Sequence, residues 1–250
     1  MRVVVLSSGS KGNTTYINVN NHHILIDIGN SCRYVCQSLE NIDVDPSLID
    51  TILITHTHKD HTAGLDTFLK KYNPIVCATK KNKNYLGEIK KFYEIDSPNF
   101  EIDGIKIEVI RASHDAPETV GYIITYNNKS LVYITDTGYI NKKYFDLLKN
   151  KDIYILESNH DVELLMNGSY PFDLKKRIVS DKGHLSNHTA SLYLKDFIGD
   201  KTKYIILAHL SEENNSPSLA YSELVGVLGD SYKNEIIIAK QNEKSEMVLI

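Results

Sequence analysis

The stretch His56-Thr57-His58-Lys59-Asp60-His61 decides how this chain is read. It follows Thr51-Ile52-Leu53-Ile54-Thr55, a short apolar and β-branched run that predicts a strand covered on both faces. Side chains two apart in an extended chain point the same way, about 7 Å apart. His56 and His58 therefore leave the strand on one side and can converge on one cation. Beyond them, Leu65, Phe68, Leu69 and Tyr72 repeat at helical spacing and predict a helix over 62–72. Asp60 and His61 fall where the chain turns into that helix, placed to serve a second cation beside the first. Three histidines and one aspartate within six residues of a buried strand point to a metal site rather than a solvated loop.

Two cations need further ligands, and these are expected at other strand exits. His114 follows a strand predicted over 105–111, and His209 directly follows Tyr204–Ala208. Asp136 ends Leu131-Val132-Tyr133-Ile134-Thr135, so its carboxylate also arrives at a strand terminus. One metal is then assigned His56, His58 and His114, the other Asp60, His61 and His209, with Asp136 bridging. Such a set leaves room for a shared hydroxide, as two-metal hydrolysis requires. All seven donors are nitrogen or oxygen, so two divalent ions, Zn, Mn or Fe, are accommodated.

The rest of the chain suits a carrier for such a site. Its 250 residues are 42% apolar and 24% charged, which excludes disordered, collagen-like and coiled-coil classes. Twenty-eight Lys and Arg against 32 Asp and Glu give a net charge of −4, so no global basic field recruits nucleic acid. No apolar run approaches the roughly 18 residues of a membrane span. The start, Arg2 to Gly9, reads as a first strand rather than a signal peptide, and a cytoplasmic protein is expected. Cys32, Cys36 and Cys77 are an odd number, which argues against a disulfide framework. Cys32 and Cys36, four apart in a helical segment, are read as buried thiols.

Apolar alternation predicts strands near 2–6, 15–19, 23–27, 75–79, 105–111, 119–126 and 130–135, with Asn20-Asn21 and Asn127-Asn128 as hairpin turns. Helices are expected near 31–41, 141–149, 160–166, 187–198 and 217–228, and further strands at 152–156, 203–208, 235–239 and 246–249. The result is an α/β protein, two layers of mixed sheet covered by helices. No linker or internal repeat divides it, so one domain over 1–250 is expected.

Several stretches now carry a resemblance: Ser7–Asn13, Ile26–Gly29, Thr55–Gly64, Ser113–Gly121, Tyr133–Gly138, Glu157–Asp161, Gly183–Asn187 and Ala208–Ser211. In this order they resemble the metallo-β-lactamase superfamily, and more closely its WalJ/YycJ family. The resemblance implies a four-layer αββα sandwich with a dinuclear site at one edge. It also implies a phosphodiesterase acting on nucleic acid, a 5′-to-3′ DNA exonuclease. Asp27 corresponds to an aspartate that orients the metal-binding loop; a turn-forming Asp before Gly29 is the other reading. Fewer than eighty residues separate Asp136 from His209, too few for the inserted nucleic-acid-binding domain of ribonuclease J-like enzymes. Substrate grip is then expected from loops of the core or from a second subunit.

Asp60 is expected to orient or deprotonate the attacking water. By the resemblance, the Gly183-His184 pair contacts the scissile phosphate, making His184 the expected general acid. Lys175, Lys176, Arg177 and Lys182 concentrate positive charge nearby, either as substrate contacts or as a solvated helix face. Lys182, Asn187 and His188 are candidate substrate contacts, although Asn187 and His188 also suit the first turn of a helix. His160 either reaches the cleft or begins its own helix. Gly9-Ser10-Lys11-Gly12-Asn13 lacks the spacing of a nucleotide-binding loop and reads as a cleft-edge loop, with Ser10 and Asn13 near substrate. Two competing functions share the motif: a small-molecule ester, thioester or lactam hydrolase, and a non-catalytic metal-binding regulator.

Overall fold

The computed structural model describes residues 1–229 and 232–250. It opens with three antiparallel strands, β1 (Arg2–Ser7), β2 (Thr14–Val19) and β3 (His22–Ile26). Asn20 and Asn21 join the last two with φ of 49° and 63°. A type I′ turn needs two such positive angles, and asparagine tolerates them. The chain then alternates through α1 (Cys32–Glu40), β4 (Thr51–Leu53), α2 (Lys59–Thr62), α3 (Leu65–Lys71), β5 (Ile75–Thr79), α4 (Lys80–Lys83) and β6 (Phe92–Ile95). β3 to β6 lie parallel, as crossover connections demand.

The second half repeats this plan. β7 (Asn99–Ile102), β8 (Ile105–Ala112), β9 (Thr119–Tyr126) and β10 (Lys129–Ile134) are antiparallel. Asn127 and Asn128 form the second hairpin turn, at φ of 46° and 62°. α5 (Phe145–Leu148), β11 (Ile153–Glu157), α6 (Val162–Asn167), α7 (Phe172–Ile178), α8 (Asn187–Phe197), β12 (Tyr204–Ala208), α9 (Pro217–Leu228) and β13 (Glu235–Ile238) follow, with β10 to β13 parallel. β14 (Val248–Leu249) returns to pair with β1. Two seven-stranded sheets result, ordered β14-β1-β2-β3-β4-β5-β6 and β13-β12-β11-β10-β9-β8-β7. Each is antiparallel on one side and parallel on the other, a shared topology that no sequence repeat announces.

Burial explains the layering. Val3, Val5, Ile17, Ile26 and Leu53 of the first sheet pack against Ile107, Tyr122, Ile124, Tyr133 and Ile155 of the second, forming the central core. The alternate residues Val4, Leu6, Leu25 and Ile52 face outward and are covered by Val35 and Leu39 of α1 and Phe68 of α3. On the other side, Ile123, Val132, Leu156 and Ile205 are covered by Leu194 and Phe197 of α8 and Leu224 of α9. This is a four-layer αββα sandwich. The three cysteines are free and buried, with the sulfurs of Cys32 and Cys36 3.9 Å apart.

Some elements differ from expectation. The helix expected over 62–72 is α3, which starts only at Leu65; a separate turn, α2, precedes it, and an added Cβ on Gly64 between them would stand 2.2 Å from the Asn30 carbonyl oxygen. The one expected over 141–149 is a 3₁₀ turn, Lys142–Tyr144, followed by α5. β6, β7, α4 and α7 were not expected. They span four to seven residues, too short for a period to register, and β6 and β7 are placed by pairing with β5 and β8.

Candidate metal centre

Three strand ends carry the geometry. Asp27 after β3, Asp136 after β10 and His209 after β12 have φ of 60°, 56° and 55°. A non-glycine residue held there costs on the order of 1–3 kcal/mol and persists only where its surroundings impose it. All three are buried. The sharp turn at each strand exit aims its side chain into the gap between the sheet ends.

His56, His58 and His114 form one donor group, and Asp60, His61, Asp136 and His209 a second, the donor atoms within each lying inside 4.8 Å of one another. His114 Nε2 is 3.3 Å from His58 Nδ1. In the second group, His61 Nε2 is 3.1 Å from Asp136 Oδ2, and His209 Nε2 is 3.4 Å from Asp136 Oδ1. Asp60 Oδ2 sits 3.4 Å from His61 Nε2 and 3.5 Å from His209 Nε2. The groups meet at Asp136, whose Oδ1 is also 3.8 Å from His114 Nε2. Buried polar atoms normally find partners, yet His56 Nε2, His209 Nε2 and Asp136 Oδ2 have no aligned hydrogen bond. Unpartnered nitrogens and carboxylate oxygens converging in this way fit divalent cations.

Three of the remaining ring nitrogens are held from behind. His61 Nδ1 faces Asp27 Oδ2 at 2.7 Å, both side chains fully buried. Asp27 also accepts from the Thr55 amide at 2.8 Å and the Thr55 hydroxyl at 2.7 Å. His114 Nδ1 faces the Gly183 carbonyl at 3.2 Å, and His209 Nδ1 faces Glu157 Oε1 at 3.1 Å. Each contact fixes a tautomer that leaves Nε2 free to ligate. Asn13, buried, donates to the Asp60 carbonyl and side chain at 3.3 Å and approaches His61 Nε2 at 3.0 Å. Gly29 allows this closeness, because a Cβ there would stand 1.7 Å from the Asp60 carbonyl oxygen.

Glu157 is the functional residue that the sequence reading did not assign. It ends β11, fully buried, and Oε1 lies 2.6 Å from His184 Nδ1. Oε2 accepts from the amides of Thr137 and Leu185. Burial opposes its ionisation, but the imidazoles of His184 and His209 hold the carboxyl down at about 2. Conversely, burial disfavours a charged His184, and the Glu157 carboxylate overrides it and raises the imidazole's affinity for a proton. The available signal was positional: Glu157, like Asp136 and His209, stands at the exit of a buried strand.

A cleft of about 200 Å³ opens over this arrangement, lined by His114, His184, His209, Ser10, Arg177 and Lys182 among others. Ser10, Lys182 and His184 are thus at the cleft wall, whereas Asn13 is buried against Asp60 and His61. Three expected substrate contacts meet other groups of the protein. His160 is 2% exposed and precedes α6, whose cap is Asp161; its carbonyl accepts from the Asn187 amide. Asn187 is buried in a network with Ser158 and Asn215. His188 pairs with Glu223 on α9 at 2.7 Å. Of the basic run, Lys175 donates to the carbonyls of Met166 and Gly168, and Arg177 pairs with Asp115.

The β-lactamase superfamily domain profile matches residues 22–209. The exodeoxyribonuclease WalJ of Streptococcus pneumoniae is 38% identical over 237 residues, 91% of this chain and 88% of that protein. The exodeoxyribonuclease YycJ of Bacillus anthracis is also 38% identical, over 90% of this chain and 88% of its own length. The chain belongs to the metallo-β-lactamase superfamily, in its WalJ/YycJ family. The fold agrees: the metallo-β-lactamase fold protein YhfI from Bacillus subtilis superposes with a TM-score of 0.73 at 17% identity, covering 97% of both chains. Membership in the WalJ/YycJ family and the His/Asp clusters identify a metal-dependent hydrolase. Among the described residues, no helix is long and apolar enough to cross a membrane.

Proposed function

We propose that the chain is a dinuclear-metal phosphodiesterase that digests DNA exonucleolytically, from the 5′ end. The observation that carries this reading is the pair of donor groups joined through Asp136, with His184 placed beside them on Glu157. The DNA substrate is supported by the 38% identity to two exodeoxyribonucleases over nine-tenths of the chain. The polarity rests on the family resemblance alone.

His56, His58 and His114 would hold one cation, and Asp60, His61 and His209 the other, with Asp136 between them. Bound there, two divalent ions supply Lewis acidity for activating water and for neutralising charge on a phosphodiester. Zn, Mn and Fe all suit the nitrogen and oxygen donors. Burial opposes charge on Asp60, yet contacts with His209 and His61 keep it ionised well below the usual carboxylate range. It therefore stays a carboxylate that can accept a hydrogen bond from the attacking water and orient it, although so acidic a group is a weak base. His184, held by Glu157 and 19% exposed at the cleft wall, is the donor to the leaving oxygen. Lys182 and Ser10 flank the path of the phosphate. Substrate would be gripped by surface loops of the sandwich or by a second subunit.

The test is digestion of 5′- and 3′-end-labelled single- and double-stranded DNA and RNA, with Zn or Mn. The native chain should shorten DNA from its 5′ end, while Asp136→Asn and His58→Ala should be inactive. Equal digestion by these variants, or thioester turnover without DNA cleavage, would overturn the reading.

A further inference from the structure

Positive charge is unevenly spread over this acidic chain. Residues 70–91 hold seven lysines (70, 71, 80, 81, 83, 90 and 91) against one acid, Glu88, a local charge of +6 in a chain of −4. Three of them, Lys80, Lys81 and Lys83, lie on α4, and all three are exposed. Two residues further on, Tyr85 is 68% exposed.

The fold places α4 at the metal centre. β5 runs parallel to β4, so α4 leaves its sheet at the same end as the loop that carries His56 and His58. Asn82, the buried residue of α4, donates to the carbonyl of Thr55, immediately before His56, at 3.3 Å. Lys81 Nζ is 3.8 Å from Glu118, which also pairs with Arg111 and lies four residues beyond His114. Lys83 Nζ sits 4.4 Å from the centre of the Phe92 ring. α4 thus forms a rim on the first-sheet side of the centre. The basic helix α7 lines the cleft from the second-sheet side.

We propose that α4 and Tyr85 form the track for a single-stranded nucleic-acid segment attached to the nucleotide in the cleft. The lysines would meet successive phosphates, and the Tyr85 ring would stack on a base. A single strand is indicated because a paired base offers no free face to an aromatic side chain. Complementarity of charge selects a polyanion, and the adjacent exposed aromatic selects nucleic acid over an acidic peptide. This track rests on the reading of the site as a nuclease and adds where the rest of the strand is held.

The experiment measures binding separately from cleavage. A 5′-fluorescein single-stranded oligodeoxynucleotide is titrated with the full chain in chelator, which prevents cutting, and anisotropy is followed between 50 and 200 mM salt, a range chosen on the order of that over which counterion release is read. Replacing Lys80, Lys81 and Lys83 by Gln should weaken binding about tenfold or more at low salt. It should also flatten the log–log salt slope by about 2, from about 0.7 per lost phosphate contact. Tyr85→Ala should weaken binding about tenfold with the slope unchanged. Lys70→Gln with Lys71→Gln, at the end of α3, should alter neither. Hydrolysis of bis(p-nitrophenyl) phosphate in added metal, a substrate too short to reach α4, should be the same in all these variants.

Unchanged affinity and slope in the triple variant would overturn the track, as would stronger competition by polyglutamate than by unlabelled DNA. If the native chain and the variants alike fail to hydrolyse the small diester, the nuclease reading fails instead. The binding titration then decides the track by itself.

Discussion

Glu157 Oε1 stands 2.6 Å from His184 Nδ1, and the same oxygen is 3.1 Å from His209 Nδ1. One buried carboxylate therefore orients both a metal-facing imidazole and the imidazole assigned to proton transfer. The coupling explains why β11, which contributes no expected ligand, ends inside the site.

Replacing His184 by Gln should lower kcat on DNA by about a hundredfold or more, the range for loss of a general acid, with metal content unchanged by elemental analysis. Hydrolysis of bis(p-nitrophenyl) phosphate, whose leaving group departs unprotonated, should fall far less. An equal loss on both substrates would assign His184 a binding role instead.

Asp27→Asn tests the support behind His61. Asn accepts the left-handed backbone that Asp27 adopts at φ 60°, so the change removes charge without straining the turn. Metal affinity, read by chelator competition, should drop about 10- to 100-fold. Unaltered affinity would show that the Asp27–His61 contact does not orient the ring.

Gly29→Ala should unseat the metal-binding loop, since its Cβ would meet the Asp60 carbonyl at 1.7 Å and the Asn13 amide nitrogen at 2.4 Å. A loss of about 3 kcal/mol in denaturant stability is expected, with weaker metal retention. Native stability in this variant would mean that the loop yields without cost.

Burial drives the His160 pKa down to about 4 from 6.5, with Glu157 opposing the shift only in part. The unfolded chain thus takes up the proton first as pH falls. Stability contributed by the neutral ring is present above about pH 6.5 and is lost between there and pH 4. The full effect is about 3 kcal/mol, at 1.36 kcal/mol per pKa unit. Denaturant unfolding at pH 7.5 and 4.5 should show a smaller difference for His160→Asn than for the native chain. Identical differences would place the acid sensitivity elsewhere.

Much of this molecule is fixed locally. The HxHxDH spacing, the apolar runs before it and before Asp136 and His209, and the two Asn-Asn turns all depend on interactions between near neighbours. They are legible in the amino-acid sequence itself, and they locate seven candidate donors and most of the strands. Tertiary structure decided what depends on distant partners. β6 and β7 exist because neighbouring strands offer hydrogen bonds, not because four residues prefer to extend. Asn187 is tied to Ser158 and Asn215, and His188 to Glu223, partners that lie far off in the sequence. Glu157 gained its role only when β10, β11 and β12 lay side by side and brought three strand ends to one point. A sequence states which side chains can donate or ligate; only packing states which other groups compete for them.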